Sequence, residues 1–508
     1  MTESQYFTNT TKNVFCLVNL PEVVKGALFS RYSRSPKGLR AILSEEFLGN
    51  PDFSSGINEQ KAEEFYDRVL LGYGDDSVAE LGGAHLAIEG ISNIATKSIE
   101  DSRIGISFLE KSTRYVRFDD KINGNYQYLR EPEIMSSRHA DTYIQTCELL
   151  FGTYSSLMAP VMKFVEERNP HGEESERAYK SAIRAKACDV LRGLLPASVT
   201  TNLGMYGNGR AFEYLITKMA ASNLTEVCNL SAEMSEELSK VIPSFVKRAR
   251  SEHGKDLQRY LAESRKSMEA FSVNGKTDAT PVELIDNSSE DKAIAAMLYP
   301  FSNVPFSSLL ENVRKMPTAQ KAKIAYEYMG KRSNRRHKPG RALENVHYTF
   351  DILANYGAFR DLHRHRMLTQ ERQLLSTNHG YDTPKELFDA GLGEKFVECM
   401  VAAKDAFGSM KGMETQAQYL VPMAYRMRWY MTLNLREIYF LSELRSSMQG
   451  HPDYRRIAQC IYSIAREKSP ILGSYMKFVD MNDYSLERLE AEKKTDRKTQ
   501  EMNSSSVR

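Results

Sequence analysis

The 508-residue chain carries almost no net charge: 68 lysines and arginines stand against 66 aspartates and glutamates, a formal +2. Nothing global selects nucleic acid or an anionic membrane as a partner, so any anion site must be local. Cysteine is scarce and scattered. Cys16, Cys147, Cys188, Cys228, Cys399 and Cys460 form no CxxC pair, which argues against a zinc site or a disulfide frame and for reduced thiols in a cytoplasmic setting. No apolar run approaches a membrane span, and the opening MTESQYFTNTTKN lacks a signal-peptide core. Tryptophan occurs once. Trp429 is expected in the core, with the wall of a nucleotide pocket as the sharper alternative; the 22 methionines are expected as core filling. What remains, 41% hydrophobic and 26% charged residues, is ordinary for a globular chain of two or more domains.

Against this neutral background one stretch stands out. Arg360 to Thr377 reads RDLHRHRMLTQERQLLST and concentrates Arg360, His363, Arg364, His365, Arg366 and Arg372. Before it, Val346, Tyr348, Phe350 and Ile352 alternate with more polar residues, the pattern of a half-buried strand. Asn355 then caps a short helix with Tyr356, Phe359 and Leu362 on its apolar face. A strand feeding a helix that ends in Arg-His-Arg brings several cations to one rigid point, which suits a phosphate or pyrophosphate. The competing reading is a solvated charge run. A metal reading is poorer, because His363 and His365 do not share a helix face and no cysteine or second histidine pair stands nearby. The densest basic run, Lys331–Arg341, has no interleaved aromatics and is read as a surface loop or a second anion loop rather than a nucleic-acid patch.

The chain also repeats itself. His85, Glu89 and Asn93 match His347, Asp351 and Asn355 at an offset of 262. Pro196 precedes Asn208-Gly-Arg210 by twelve residues, as Pro422 precedes Asn434-Leu-Arg436, at an offset of 226. Two homologous halves follow from this. Residues 14–48 are expected to be helical, 274–291 a linker and Glu487 onward a charged, disordered tail.

At these residues the sequence resembles a family. Arg364–Ser376 (RHRMLTQERQLLS) resembles the RHRxxSxNxxSxRY signature of flavin-dependent thymidylate synthases. Ser107–Tyr115 (SFLEKSTRY) resembles the end of the same signature. GYGDDSVAE, from Gly72, resembles the upstream GHxSxxEH motif, with Asp75, and Pro339 in the other half, in place of its histidine. The two Pro–Asn-x-Arg blocks resemble the family's C-terminal segment. Each half departs from the pattern where the other keeps it. Ser102-Arg103-Ile104 stands for Arg-His-Arg in the first half, and Arg372, Leu374 and Ser376 stand for Glu, Ser and Arg in the second.

The resemblance implies an α+β fold, two similar domains in tandem, helix-rich around small sheets. They are expected at 1–270 and 290–485, with a tail at 486–508. It implies reductive methylation of deoxyuridine monophosphate (dUMP) to thymidylate, with FAD, NADPH and methylenetetrahydrofolate. Arg364, His365 and Arg366 are then expected to bind the flavin. Glu110, Ser112, Arg114, Arg210, Asn434 and Arg436 are expected to bind the nucleotide; no catalytic residue and no metal are assigned. A homodimer equivalent to the family's homotetramer is expected, without nucleic-acid or membrane partners. The alternative is a diverged flavin- or nucleotide-binding protein of the same fold.

Overall fold

A computed structural model describes residues 5–48, 76–273, 275 and 280–505. Asp75, with the Gly72–Asp75 start of the upstream motif, lies outside the described residues. The chain divides into two compact units. One comprises Met1–Lys111, Glu131–Glu133 and Thr200–Asn274; the other comprises Ser112–Arg130, Ile134–Val199 and Gly275–Arg508. This differs from the expected halves, because most of 112–199 joins the second unit.

The first unit is built on an antiparallel sheet of β1 (Gly83–Ser92), β2 (Ile106–Glu110) and β3 (Thr200–Asn208), in the order β1-β3-β2. Along β3, Thr201, Leu203 and Met205 point inward while Asn202, Gly204 and Tyr206 point out, the period of two that buries one sheet face. Helices Asn93–Glu100 and Gly209–Ala220 follow β1 and β3.

The second unit holds a four-stranded antiparallel sheet. Its strands are β4 (Val282–Asn287), β5 (His347–Asn355), β6 (Leu368–Arg372) and β7 (Arg426–Asn434), in the order β4-β5-β7-β6. The expected strand is β5, with Tyr348, Phe350 and Ile352 fully buried. Asn355 caps the helix Tyr356–Leu362, its Oδ1 accepting the Ala358 N–H at 2.8 Å. Trp429 on β7 is buried edge-on to Phe359, with ring centroids 5.2 Å apart, which supports the core reading.

The order β5-β7-β6 repeats β1-β3-β2, and the registers refine the sequence offsets. Gly83 pairs with Asn208, and His347 pairs with Asn434. The counterpart of His347 is therefore Gly83 and not His85, and the counterpart of the capping Asn355 is Ser92, which caps its helix through Ala95 N–H. β1 is one residue longer than β5. A bulge between Ile88 and Ile91 absorbs the difference, with Gly90 at φ +70°. The offset of 226 holds. Asn208 and Asn434 each end a strand and accept a helix N–H (Ala211, Glu437) at 2.9 Å.

Three expectations need correction. Helix covers Glu22–Tyr32 and resumes at Leu39, but Val14 is 85% exposed and Leu17 pairs in an extended bridge with Phe7. Part of the expected linker is β4, which the exposed edge of β5 recruits as a partner. The tail is a helix over Leu489–Ser505, anchored by buried Glu487 and Arg488. Among the described residues no helix is long and apolar enough to cross a membrane.

The two asparagine caps are testable as local stabilisers. Asn208→Ala and Asn434→Ala should each lower unfolding free energy by about 1 kcal/mol in chemical denaturation, and Asp at either position should restore most of it.

Candidate anion-binding site

The second unit gathers arginines from distant parts of the chain. Arg114 belongs to the first-half signature and is buried. Its guanidinium forms a two-pronged pair with Asp189, Nε to Oδ1 at 2.9 Å and Nη2 to Oδ2 at 2.7 Å. Asp189 sits near the end of the helix Glu176–Leu191. Arg114 Nη1 donates to the Tyr454 hydroxyl at 2.8 Å and Nη2 to the Gln449 carbonyl at 3.2 Å. Burial opposes the charge on Arg114, but Asp189 outweighs it and holds the guanidinium pKa well above its ordinary value. Burial likewise pushes the Asp189 carboxyl up. Arg114 and Arg488 overcome that and hold it well below the carboxylate range.

The Arg-His-Arg corner lies in the same unit. Arg364 and Arg366 are exposed and flank the buried His365. His365 Nδ1 lies 2.6 Å from Glu437 Oε1, and Arg445 Nε donates to His365 Nε2 at 2.9 Å. An arginine N–H can only donate, so Nε2 accepts and the ring proton resides on Nδ1, donated to Glu437. Glu437 thus fixes the tautomer and His365 aims Arg445.

Asp361 lies in the field of several of these arginines. It accepts Arg192 Nη1 at 3.1 Å. Burial raises its pKa, but the fields of Arg192, Arg114, Arg364 and Arg445 reverse the sign and hold it well below the usual range. Arg360 Nη1 also donates to Thr113 Oγ1 at 3.1 Å, tying the helix of one signature to the strand end of the other. Arg445 is pulled below its ordinary pKa, first by burial and then by Arg364 and Arg114, despite Asp361. Arg192 Nη2 is buried without a hydrogen-bond partner among the described residues. An unmet donor there costs about 1–3 kcal/mol, which an acidic oxygen of a ligand would recover.

A cleft of about 830 Å³ opens beside this cluster, with Lys186, Asp189, Arg192, His451, Asp453 and Arg456 in its lining. Its size suits a nucleotide-like ligand. His451 is held neutral, since burial and Arg192 lower its pKa more than Asp453 raises it.

The other expected site residues lie elsewhere or have structural partners. Ser112 accepts the Arg114 backbone N–H at 3.2 Å. Glu110 is buried in the first unit, 3.0 Å from Lys97 Nζ. Arg210, half exposed, pairs with Glu80 at 2.6 Å. Asn434 is a helix cap. Arg436 donates to the Pro339 carbonyl at 2.9 Å and meets Glu344 at 2.9 Å. In the basic run, Arg332 is buried against Glu443, with Nη2 to Oε2 at 2.6 Å. Among the described residues no cluster of metal-ligating side chains occurs.

Sequence reasoning missed Asp189, Arg192, Asp361, Glu437, Arg445 and Arg488. A signal existed for two of them. At the offset of 226, Arg192 faces Gln418 and Arg445 faces Met219, charges present in one half and absent from the other. Gln418 instead accepts the Leu375 backbone N–H at 3.0 Å, a structural task.

The Arg114–Asp189 pair gives two expected outcomes. Arg114→Ala leaves the buried Asp189 with Arg488 and without its bidentate partner, and should cost roughly 1.5–3 kcal/mol, as unfolding in urea would read. The folded pKa of Asp189 lies below its unfolded value. Its contribution is therefore complete above the unfolded pKa of about 4 and is lost as pH falls through the folded value. Asp189→Asn should remove that segment of the acid-unfolding profile.

The description of one family, thymidylate synthase complementing protein, matches residues 32–244 and 283–471. A UPF0159 protein of Chlamydia pneumoniae is 45% identical over 508 residues, covering 96% of both chains. Another from Chlamydia muridarum is 44% identical with the same coverage. A UPF0159 protein of Thermoplasma acidophilum is 36% identical over 496 residues, covering 92% of this chain and 97% of its own.

Proposed function

The chain belongs to the thymidylate synthase complementing protein family, as a tandem member, and from that footing we propose that it is a flavin-dependent thymidylate synthase. It would convert dUMP to thymidylate with methylenetetrahydrofolate as carbon donor and NADPH as reductant. The observation that carries this reading is the meeting, in one compact unit, of what each half retains: Arg364-His365-Arg366 of the second and Ser112 and Arg114 of the first, with Arg360 bonded to Thr113 between them.

The residues present fit a dinucleotide. Two exposed guanidiniums flank an imidazole of fixed tautomer, a donor set suited to a pyrophosphate. Arg364, His365 and Arg366 would hold FAD. Bound there, the flavin would supply hydride chemistry. Ser112, Arg114 and the unmet Nη2 of Arg192 would hold the nucleotide phosphate, and Arg445, aimed by His365, would face the same ligand. Arg210, Asn434 and Arg436 have the structural partners described above and stand further from this reading. The cysteines have little to offer as nucleophiles. Burial raises the thiol pKa to about 12 at Cys147 and about 11 at Cys188, and it also raises that of Cys460, in the cleft lining. A homodimer equivalent to a family tetramer, and a cytoplasmic setting, complete the proposal.

The purified chain should be yellow, bind dUMP, and free a synthase-deficient host from its thymidine requirement. Arg364→Ala should lose flavin. Arg114→Gln, which leaves Asp189 paired with Arg488, should keep flavin and lose dUMP affinity by at least tenfold, about 1.4 kcal/mol. Unchanged dUMP binding in that variant would overturn the assignment of the nucleotide to the first-half corner. Persistent thymidine dependence despite soluble expression would favour a diverged binding protein.

A further inference from the structure

The stretch matched by the family ends at residue 471, yet the chain returns to the arginine cluster after it. Arg488 is buried, 4% exposed. Its Nη1 donates to the Arg114 backbone carbonyl at 2.6 Å, and its Nη2 lies 3.2 Å from both oxygens of Asp189. Its guanidinium stacks over the Tyr115 ring, 4.0 Å from the centroid. One side chain thus holds the main chain of Arg114, the counter-ion of Arg114 and the residue that follows it. The neighbouring Glu487, also buried, closes a second contact with Lys186 at 2.8 Å, while Lys186 meets Glu386 at 2.8 Å.

The helix Leu489–Ser505 keeps this arm in place. It packs along the helix Glu176–Leu191 that carries Asp189 and Lys186. Asp496 bonds to Ser175 and Arg177 at the start of that helix, where a carboxylate is favoured by the exposed N–H groups and the helix dipole. Lys493 adds an ion pair with Glu174 at 3.5 Å.

We propose that Arg488, carried on the C-terminal segment, is a positioning residue of the nucleotide site: it sets the orientation of Arg114 through Asp189 and the Arg114 carbonyl. The inference rests on the reading of Arg114 as a dUMP-binding group. Asp189 has two cations and Arg114 has one carboxylate, so Asp189 can satisfy its charge with Arg488 present and still leave Arg114 available to an incoming phosphate. Without Arg488, the Asp189 charge falls wholly on Arg114 and binds it more tightly away from ligand.

The test uses the full chain with its flavin, in wild type, Arg488→Gln, Arg488→Lys and a chain ending at Leu486. Read out are flavin content, melting temperature, and kcat and KM for dUMP, with dUMP affinity titrated separately. Arg488→Gln and the truncation should raise the dUMP KM and dissociation constant tenfold or more. Flavin content should stay at wild-type level, and kcat at saturating dUMP should fall far less. Arg488→Lys, which keeps the charge but not the fork, should fall between wild type and Gln. If dUMP binds the wild type and the Gln variant equally, Arg488 is only a structural tie and this inference fails while the synthase reading stands. A parallel fall in flavin content and kcat with unchanged KM also overturns it. Absence of dUMP binding by the wild type would overturn the synthase reading, and this inference with it.

Discussion

The buried pairing of Arg114 with Asp189 is the constraint around which the second unit is arranged. Two charges taken out of water are tolerable only when each finds a geometrically matched partner and the remaining donors are met. Here the fork of Arg114 meets both carboxylate oxygens, and Tyr454 and Gln449 take two of its three other N–H groups. The partners come from widely separated parts of the sequence, so holding this pair fixes the course of several chain segments at once. The same unit holds a cleft of about 830 Å³ whose lining brings arginines and lysines together with carboxylates.

The internal repeat explains how such a site arises from one chain. Both halves keep the strand–helix–strand corner, the asparagine caps and the strand order. They differ in what those frames present. At the second-half corner stand Arg364, His365 and Arg366, where the first half has Ser102, Arg103 and Ile104. At the first-half corner stand Ser112 and Arg114, where the second has Leu374 and Ser376. The backbone frame was retained in duplicate while the charges were divided between copies. Glu437 belongs to this division. It orients His365 from the position after Arg436, and its counterpart after Arg210 is Ala211.

Much of this was legible from residue order, for local reasons. The alternation from Val346 to Ile352 and the cap at Asn355 are short-range physics, and both appear as read. The repeat was legible but its register was not. Matching His85 to His347 follows identity of side chains, whereas the sheet matches Gly83 to His347 and absorbs the surplus residue in a bulge at Gly90. The roles of Asp189, Arg192 and Arg445 were illegible because their significance comes from long-range contacts, and a single charged residue in an amphipathic helix looks like any other. The tail was misjudged from composition. Its polar sequence cannot form a core, but it needs only one face against an existing helix and a few buried ionic anchors. β4 was hidden for a related reason: an edge strand borrows its stability from the strand beside it.

The division into units has an evolutionary corollary. Residues 112–130 and 134–199, from the first repeat, fold with residues 275–508 rather than with the sheet of their own repeat. The duplicated copies are thus no longer interchangeable modules. A split of the gene at its midpoint would separate Arg114 and Asp189 from Arg364 and Arg445, and the tether that now supplies them at high effective concentration would be gone.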